Sequence, residues 1–184
     1  MRKLLCALSL MSALVIALAV HAAAPANFAG TWTLDKSKSQ GLSGRMQNAE
    51  SVSWVITQTE KEITIEEKVT GGNPPAGGPP GGGPGGGGPG RGMGGFGGPR
   101  TFNLDGSETS GDTGRGKFVR KATVSGDGKT IELTSKSTFQ GPEGEITSTS
   151  TDKLQLSADG KTLTVNRHSE NPRGNQDSTL VFNK

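Results

Sequence analysis

Few residues of this chain have the chemistry of a nucleophile or a general base. Its two histidines are His21 and His168, and its single cysteine is Cys6. Nucleophilic catalysis needs a base beside the serine or cysteine and a third group that orients that base. His168 follows Arg167 at the end of a predicted strand, where an exposed or capping histidine is the expected role. We therefore predict that the protein is not an enzyme. A hydrolase or isomerase ranks third, after the two hypotheses given at the end of this section.

The sequence also contains few residues that could bind a metal ion or a cofactor. A zinc site needs three or four His, Cys or carboxylate ligands. Loop 105–112 carries carboxylates and hydroxyls that suit calcium, but it lacks the aspartate spacing and terminal glutamate of an EF-hand, so a solvated loop is expected. Carboxylate pairs for glycoside hydrolysis must face each other across a cleft, whereas Glu66 and Glu67 point to opposite faces of a strand. We predict no cofactor and no metal.

Residues 1–22 have the organisation of a secretory signal peptide. Arg2 and Lys3 precede an apolar run over 4–20, and small residues continue as far as 26. That order is typical of a cleavable signal, with cleavage after 22 or as late as 26. An uncleaved anchor helix is the alternative, but the run is shorter than the ~20 residues that span a bilayer. We expect export to the periplasm or the medium.

Signal cleavage would change what the mature chain can do. It removes Cys6, so no disulfide can form, and it removes His21. Loss of Arg2 and Lys3 leaves 18 basic against 17 acidic residues. This balance gives no reason to expect a nucleic acid or a membrane surface as partner. No second apolar stretch of the sequence is predicted to span a membrane. We expect the protein to be a monomer.

One segment, 71–99, differs sharply from the rest in composition. It holds 17 of the 30 glycines and 7 of the 10 prolines. Such a chain buries too little to offset its ordering entropy, so we predict a disordered insertion in a surface loop. Residues 90–96 resemble the Arg-Gly-Gly segments of RNA-binding proteins, but in an exported chain we interpret them as a spacer. The mature chain, 23–184, is then a single domain.

Outside this insertion the sequence predicts strands almost throughout. Alternating apolar and polar residues, rich in Thr, Val and Ile, recur along the chain. Asp127-Gly128 and Asp159-Gly160 mark the tight turns of two similar hairpins. Short turns between successive strands favour an all-β antiparallel meander barrel of about eight or nine strands, because closure removes exposed edges. The nine candidate strands are 30–34, 51–59, 62–70, 100–104, 117–125, 129–140, 143–156, 161–168 and 178–183, with one short helical turn near 43–49.

The alternation also predicts which side chains point into the barrel. Two neighbouring rows are apolar at one end and carry serines in the middle. Small side chains leave space, which favours a cavity with a partly polar wall. The alternative is that these strands run past the end of the barrel and are wet on both faces. The predicted ligand-binding residues are Trp54, Ile56, Ser135, Ser137, Phe139, Ser148 and Ser150.

The first strand carries the motif Gly30-x-Trp32, which resembles the lipocalin signature. The resemblance implies a tryptophan that plugs one end of the barrel, with Arg167 packed over it as a cation on an aromatic face. The wider pattern is similar to a group of small lipocalin-like bacterial secreted proteins of undefined role. Two features depart from the lipocalin pattern. The Thr-Asp-Tyr type element between the middle strands is missing, and the sequence contains no tyrosine. The chain also ends in a strand, where lipocalins have a C-terminal helix.

Two hypotheses follow. The first is an exported lipocalin-like protein that holds a small, mostly apolar ligand against Trp54, Phe139 and the inward serines. The second is a non-enzymatic envelope or surface protein with a packed barrel and a flexible glycine-rich loop. An open cavity would favour the first and a solid core the second.

Overall fold

The computed structural model of the protein describes residues 25–71, 98–112, 116–141, 144–172 and 174–184. The predicted signal peptide and positions 72–97 of the glycine-rich insertion lie outside the described residues. Within the described ranges, no helix is long and apolar enough to cross a membrane.

The described residues form ten strands and one short helix. In chain order these are β1 (Gly30–Leu34), α1 (Gly44–Asn48), β2 (Ser51–Gln58), β3 (Glu62–Thr70), β4 (Arg100–Asn103), β5 (Thr109–Asp112), β6 (Gly116–Val124), β7 (Thr130–Gly141), β8 (Gly144–Leu156), β9 (Thr162–Asn171) and β10 (Gly174–Asn183).

All ten strands belong to one antiparallel sheet that curls into a barrel. The strand order is β4-β3-β2-β1-β10-β9-β8-β7-β6-β5, so successive strands are neighbours except β4 and β5, and the β1–β10 pairing joins the two ends of the chain. The predicted all-β antiparallel meander barrel is therefore confirmed, with a strand count one or two higher than predicted. The additional strand is β5, which pairs with β6 through Thr109↔Arg120. It was predicted as part of a polar loop because it has no alternating apolar residues, and its pairing partner alone makes it a strand.

The strands at the two ends of the sheet, β4 and β5, do not pair by hydrogen bonds in the described part of the chain. β4 nevertheless lies close to β6 and, over a shorter stretch, to β5. We call this junction of β4 with β5 and β6 the seam. At the seam the described strands approach each other without a hydrogen-bonded ladder between them.

The two similar hairpins turn as their sequences predict. Asp127 accepts a hydrogen bond from the Ser125 hydroxyl at 2.6 Å, and Gly128 adopts a φ of 70°. The second copy repeats the same arrangement around Asp159, with a φ of 67° at Gly160. A positive φ is adopted readily only by glycine, which explains the Asp-Gly pair at each turn.

One end of the barrel is filled by packed apolar side chains. Trp32 is fully buried, and its Nε1 donates to the carbonyl oxygen of Phe28 at 2.8 Å. The Phe28 amide donates in turn to Gln58 Oε1 at 2.9 Å, which holds the segment before β1 across the barrel mouth. The Lys184 ammonium lies 4.6 Å from the centre of the Trp32 ring. This end of the barrel is therefore closed to a ligand, and we call it the closed end.

Candidate functional site

The opposite half of the barrel contains a cavity of about 270 Å³. Four of its lining side chains are arginines and four are serines, so the wall is polar and positively charged. We call it the arginine cavity; its arginines are Arg45, Arg100, Arg120 and Arg167, and its serines are Ser43, Ser135, Ser137 and Ser150.

Strand register brings the inward polar residues into one row. Arg120 on β6 lies opposite Ser135 on β7, and Ser135 lies opposite Ser150 on β8. Asp152 on β8 lies opposite Arg167 on β9. Directly opposed residues of an antiparallel pair project to the same face, so all five side chains point into the barrel.

Helix α1 forms the remaining wall of the cavity. Met46 of α1 is 7% exposed and packs against the apolar core, while Arg45 lines the cavity. Lys36 donates to the carbonyl oxygen of Ala49, the residue that follows α1. The short helical turn predicted at 43–49 is thus confirmed, and the structure adds that it covers the polar half of the barrel.

A buried ion-pair network lies at the inner end of the arginine cavity. Asp152 is 2% exposed and accepts two hydrogen bonds from the Arg167 guanidinium, at 2.6 and 2.9 Å. Arg100 Nη1 lies 3.6 Å from the same carboxylate. Burial by itself would raise the pKa of Asp152, but attraction to Arg167 and Arg100 outweighs it, so this pKa is lowered. Burial opposes the charge of Arg167 as well, and Asp152 more than compensates, so the pKa of Arg167 is raised.

Trp54 forms the floor between this network and the apolar core. Its side chain is fully buried, and the guanidinium carbons of Arg100 and Arg167 lie 5.7 and 5.5 Å from its ring centre. Both separations fall within the range of cation–π attraction. The indole Nε1 donates to Glu67 Oε2 at 3.2 Å, and Phe182 packs on the ring at 4.8 Å between centres. Trp54 therefore contacts both an apolar residue of the core and the charged groups of the network.

Arg120 differs from the other two barrel arginines because it has no carboxylate partner among the described residues. Its guanidinium carbon lies 4.1 Å from the centre of the Phe118 ring. Burial lowers the pKa of Arg120, and the positive charge of Arg100 lowers it further. Opposite Arg120, the hydroxyl oxygen of Ser135 is buried and has no hydrogen-bond partner in the described structure. The cavity thus holds an unpaired cation beside an unsatisfied hydroxyl.

The structure brings some of the predicted ligand-binding residues together and separates others. Ser135, Ser137 and Ser150 line the arginine cavity, with Trp54 beneath its arginines. Ile56 is 2% exposed and belongs to the packed apolar core.

Phe139 and Ser148 do not line the arginine cavity. Phe139 is 37% exposed, near the tip of the β7–β8 hairpin. The described pairing of β8 with β9 starts only at Thr149, so this tip projects beyond β9. Both readings of the serine rows therefore apply: their inner part lines a cavity, and their outer part runs past the barrel.

The predicted contact between Arg167 and Trp32 is wrong. Gly30 and Trp32 do lie at the closed end, but the cation over the Trp32 ring is Lys184, and Arg167 stacks on Trp54. Arg167 pairs with Ser178 of β10, six residues before Lys184 in the chain. At 3.3 Å per residue this amounts to about 20 Å along the strand, too far for one contact.

Sequence reasoning did not single out Arg100, Arg120 or Glu67 as site residues. Arg120 lies close in sequence to Lys117 and Lys121, and alternation along the strand divides these basic residues between two faces. The usable signal was alternation: Arg120 shares a face with Phe118 and Ala122, and Ala122 is fully buried. A charged residue on an inward row is uncommon and indicates a buried pair or a site.

A second hollow of about 500 Å³ lies on the outer face of β8, β9 and β10. It includes His168, whose Nδ1 lies 2.6 Å from Asp177 Oδ1 and whose Nε2 lies 3.3 Å from Glu170 Oε1. These two carboxylates, Asp177 foremost, raise the pKa of His168. The histidine side chain is 44% exposed. No group of three or more His, Cys, Asp or Glu within the described ranges is placed to hold a metal ion.

Comparison with known proteins gives one structural likeness. No family model matches the sequence, and no curated protein matches it either. The fold overlaps with the crystal structure of zebrafish ileal bile acid-binding protein complexed with cholic acid, at 13% sequence identity and a TM-score of 0.45. The overlap covers 85% of this chain and 98% of the zebrafish chain.

Proposed function

We propose that the protein binds a small molecule with an acidic group inside its barrel, in the arginine cavity. The observation that carries the proposal is the charge of the wall: four guanidinium groups face two carboxylates. Both carboxylates already have partners, because Asp152 binds Arg167 and Glu67 accepts from Trp54. The excess positive charge is available to a ligand.

The size and lining of the cavity restrict that ligand further. Its volume of about 270 Å³ lies at the lower limit of small-molecule pockets. Among the lining residues Met46 is apolar and Glu67 is acidic, and the other eight are arginines and serines. The sequence predicted a mostly apolar ligand, whereas this wall favours a compact molecule whose acidic group is held by arginine.

Paired probes test this proposal. Octanoate and benzoate carry a carboxylate, and their methyl esters have the same apolar part without the charge. We expect the acids to raise the melting temperature of the purified protein and the esters to have no effect. Equal stabilisation by acids and esters would overturn the acidic ligand and favour an apolar one. No stabilisation by any probe, with a bare mass in native mass spectrometry of protein from its source, would favour the packed structural barrel.

We also propose that the protein acts outside the cytoplasm, on the strength of its predicted signal peptide. The amide of Ala26 donates to the Gly128 carbonyl oxygen at 2.7 Å, and the Ala26 carbonyl accepts from Gln58 Nε2 at 3.0 Å. Cleavage after 22 preserves both hydrogen bonds, and cleavage after 26 removes them. The intact mass of the exported protein should therefore correspond to a chain that begins at 23. A full-length chain retained in the cytoplasm would contradict export.

A further inference from the structure

The seam brings two arginines with like charges to the same cavity. Arg100 lies on β4 and Arg120 on β6, both line the arginine cavity, and the two strands lie against each other. Burial lowers the pKa of Arg120, and the positive charge of Arg100 lowers it further. Burial also lowers the pKa of Arg100, against the attraction of Asp152. Arg100 has the Asp152 carboxylate at 3.6 Å, whereas Arg120 has no carboxylate partner among the described residues, so the positive charge at the seam is only partly compensated.

Two buried hydroxyls flank Arg120 across the sheet. Thr109 of β5 lies opposite Arg120 on one side, and Ser135 of β7 lies opposite it on the other. Thr109 Oγ1 and Ser135 Oγ are both buried, and neither has a hydrogen-bond partner within the described residues. Buried polar atoms nearly always have partners, so a pair of unsatisfied hydroxyls on either side of an unpaired cation indicates a missing hydrogen-bonding group.

The guanidinium of Arg167, unlike those of Arg100 and Arg120, uses its hydrogen-bond donors within the protein. Its Nε and Nη2 are both engaged by Asp152, in the two-point geometry that a carboxylate ligand would otherwise use. Arg100 has only the longer contact of 3.6 Å with the same carboxylate. Arg100 and Arg120 are therefore the cations with donors to spare, and Arg167 is a structural partner of Asp152.

We propose that the acidic group of the ligand binds at the seam as an oxyanion that bridges Arg100 and Arg120 and accepts a hydrogen bond from Ser135. This rests on the proposed function and names the residues and the chemistry of its subsite. The shared chemistry is an oxygen anion, a carboxylate or a phosphate, since the guanidinium fork matches both. Its binding places an anion between Arg100 and Arg120, so occupation of the subsite draws β4 and β6 together at the seam, where the described strands have no hydrogen-bonded ladder between them.

The test compares three anions at constant ionic strength: inorganic phosphate, acetate and octanoate, each against chloride. Calorimetric titration gives affinity, and hydrogen exchange of the β4 amides reports closure of the seam. We expect Arg120→Gln and Ser135→Ala to weaken binding by roughly tenfold or more. Lys117→Gln, on the outer face of β6, is a matched control that should retain affinity.

The outcomes separate this inference from the function on which it rests. Octanoate binding that survives in both Arg120→Gln and Ser135→Ala would overturn the subsite and leave the barrel a binder of acids. Binding of none of the three anions to the unmodified protein would overturn both. Binding without slower exchange in β4 would overturn closure of the seam. Binding of phosphate or acetate alone would support the subsite as one for free ions, and binding of octanoate alone would support a larger ligand whose acidic group sits there.

Discussion

Asp152 and Arg167 face each other from adjacent strands inside the barrel, joined by hydrogen bonds of 2.6 and 2.9 Å to the two carboxylate oxygens. Because Arg100 approaches the same carboxylate, one anion compensates two buried cations. The arrangement connects β4, β8 and β9 around the floor formed by Trp54. It is therefore the part of the arginine cavity on which the position of the other groups depends.

Removal of the Asp152 charge should be strongly destabilising. In Asp152→Asn two buried guanidinium groups lose their counter-ion, and breaking a buried pair in this way costs about 3–5 kcal/mol of unfolding free energy. Urea unfolding followed by tryptophan fluorescence measures the difference. The control is Glu66→Gln, whose pair with Lys68 is exposed and whose loss should cost at most about 1 kcal/mol. Equal effects of the two substitutions would show that the buried network contributes no more to the unfolding free energy than an exposed ion pair does.

The closed end should depend on Trp32. Trp32→Ala removes a fully buried indole and its hydrogen bond to Phe28, so we expect a loss of about 3–5 kcal/mol in unfolding free energy. Phe139→Ala removes an aromatic ring at an exposed hairpin tip and should change stability by only about 0.5 kcal/mol. An unchanged melting temperature in Trp32→Ala would mean that the closed end is not packed as described.

Gly160 allows the cost of a left-handed backbone to be measured without a steric clash. Its φ is 67°, and a Cβ added there would meet nothing within 4 Å. Gly160→Ala should therefore lower the unfolding free energy by about 1–2 kcal/mol through backbone strain alone. Gly126→Ala is the matched control, because Gly126 also has open space around it but no positive φ. If both variants unfold at the same denaturant concentration, the turn does not hold the described conformation.

The protonation of His168 should be linked to stability in one direction. Asp177 and Glu170 raise the pKa of the folded imidazole above its ordinary value of 6.5. The folded protein then binds the proton more tightly than the unfolded chain does. This contribution to stability is fully present below pH 6.5 and is lost as the pH rises through the folded pKa.

A titration followed by NMR of the His168 ring measures that pKa directly. Asp177→Asn removes the principal partner and should bring the pKa down towards 6.5, whereas Asp127→Asn, at a turn that the imidazole does not contact, should leave it unchanged. A His168 pKa at or below 6.5 in the unmodified protein would contradict the described contacts.

Local patterns in the sequence predicted much of this fold because a strand reveals its faces through a period of two. The Asp-Gly pairs located two turns, and the inward rows placed Ser135, Ser137 and Ser150 on one face. Strand β5 escaped prediction because Thr109–Asp112 carries no apolar alternation and exists only through its pairing with β6. Periodicity also could not say where along β10 each neighbour would lie, and so Arg167 was assigned to the wrong tryptophan.

The sequence alone was sufficient for the all-β class, the meander order and the scarcity of catalytic groups, since these depend on residue types and on neighbours a few positions apart. The tertiary structure was needed to show that Asp152 satisfies Arg167 and reaches Arg100, that Trp54 underlies both cations, and that Arg120 has no carboxylate partner in the described ranges. These relationships depend on the register between strands and on the curvature that returns β4 to β6. Neither is encoded in any short stretch of the chain, because both result from the packing of the whole barrel at once.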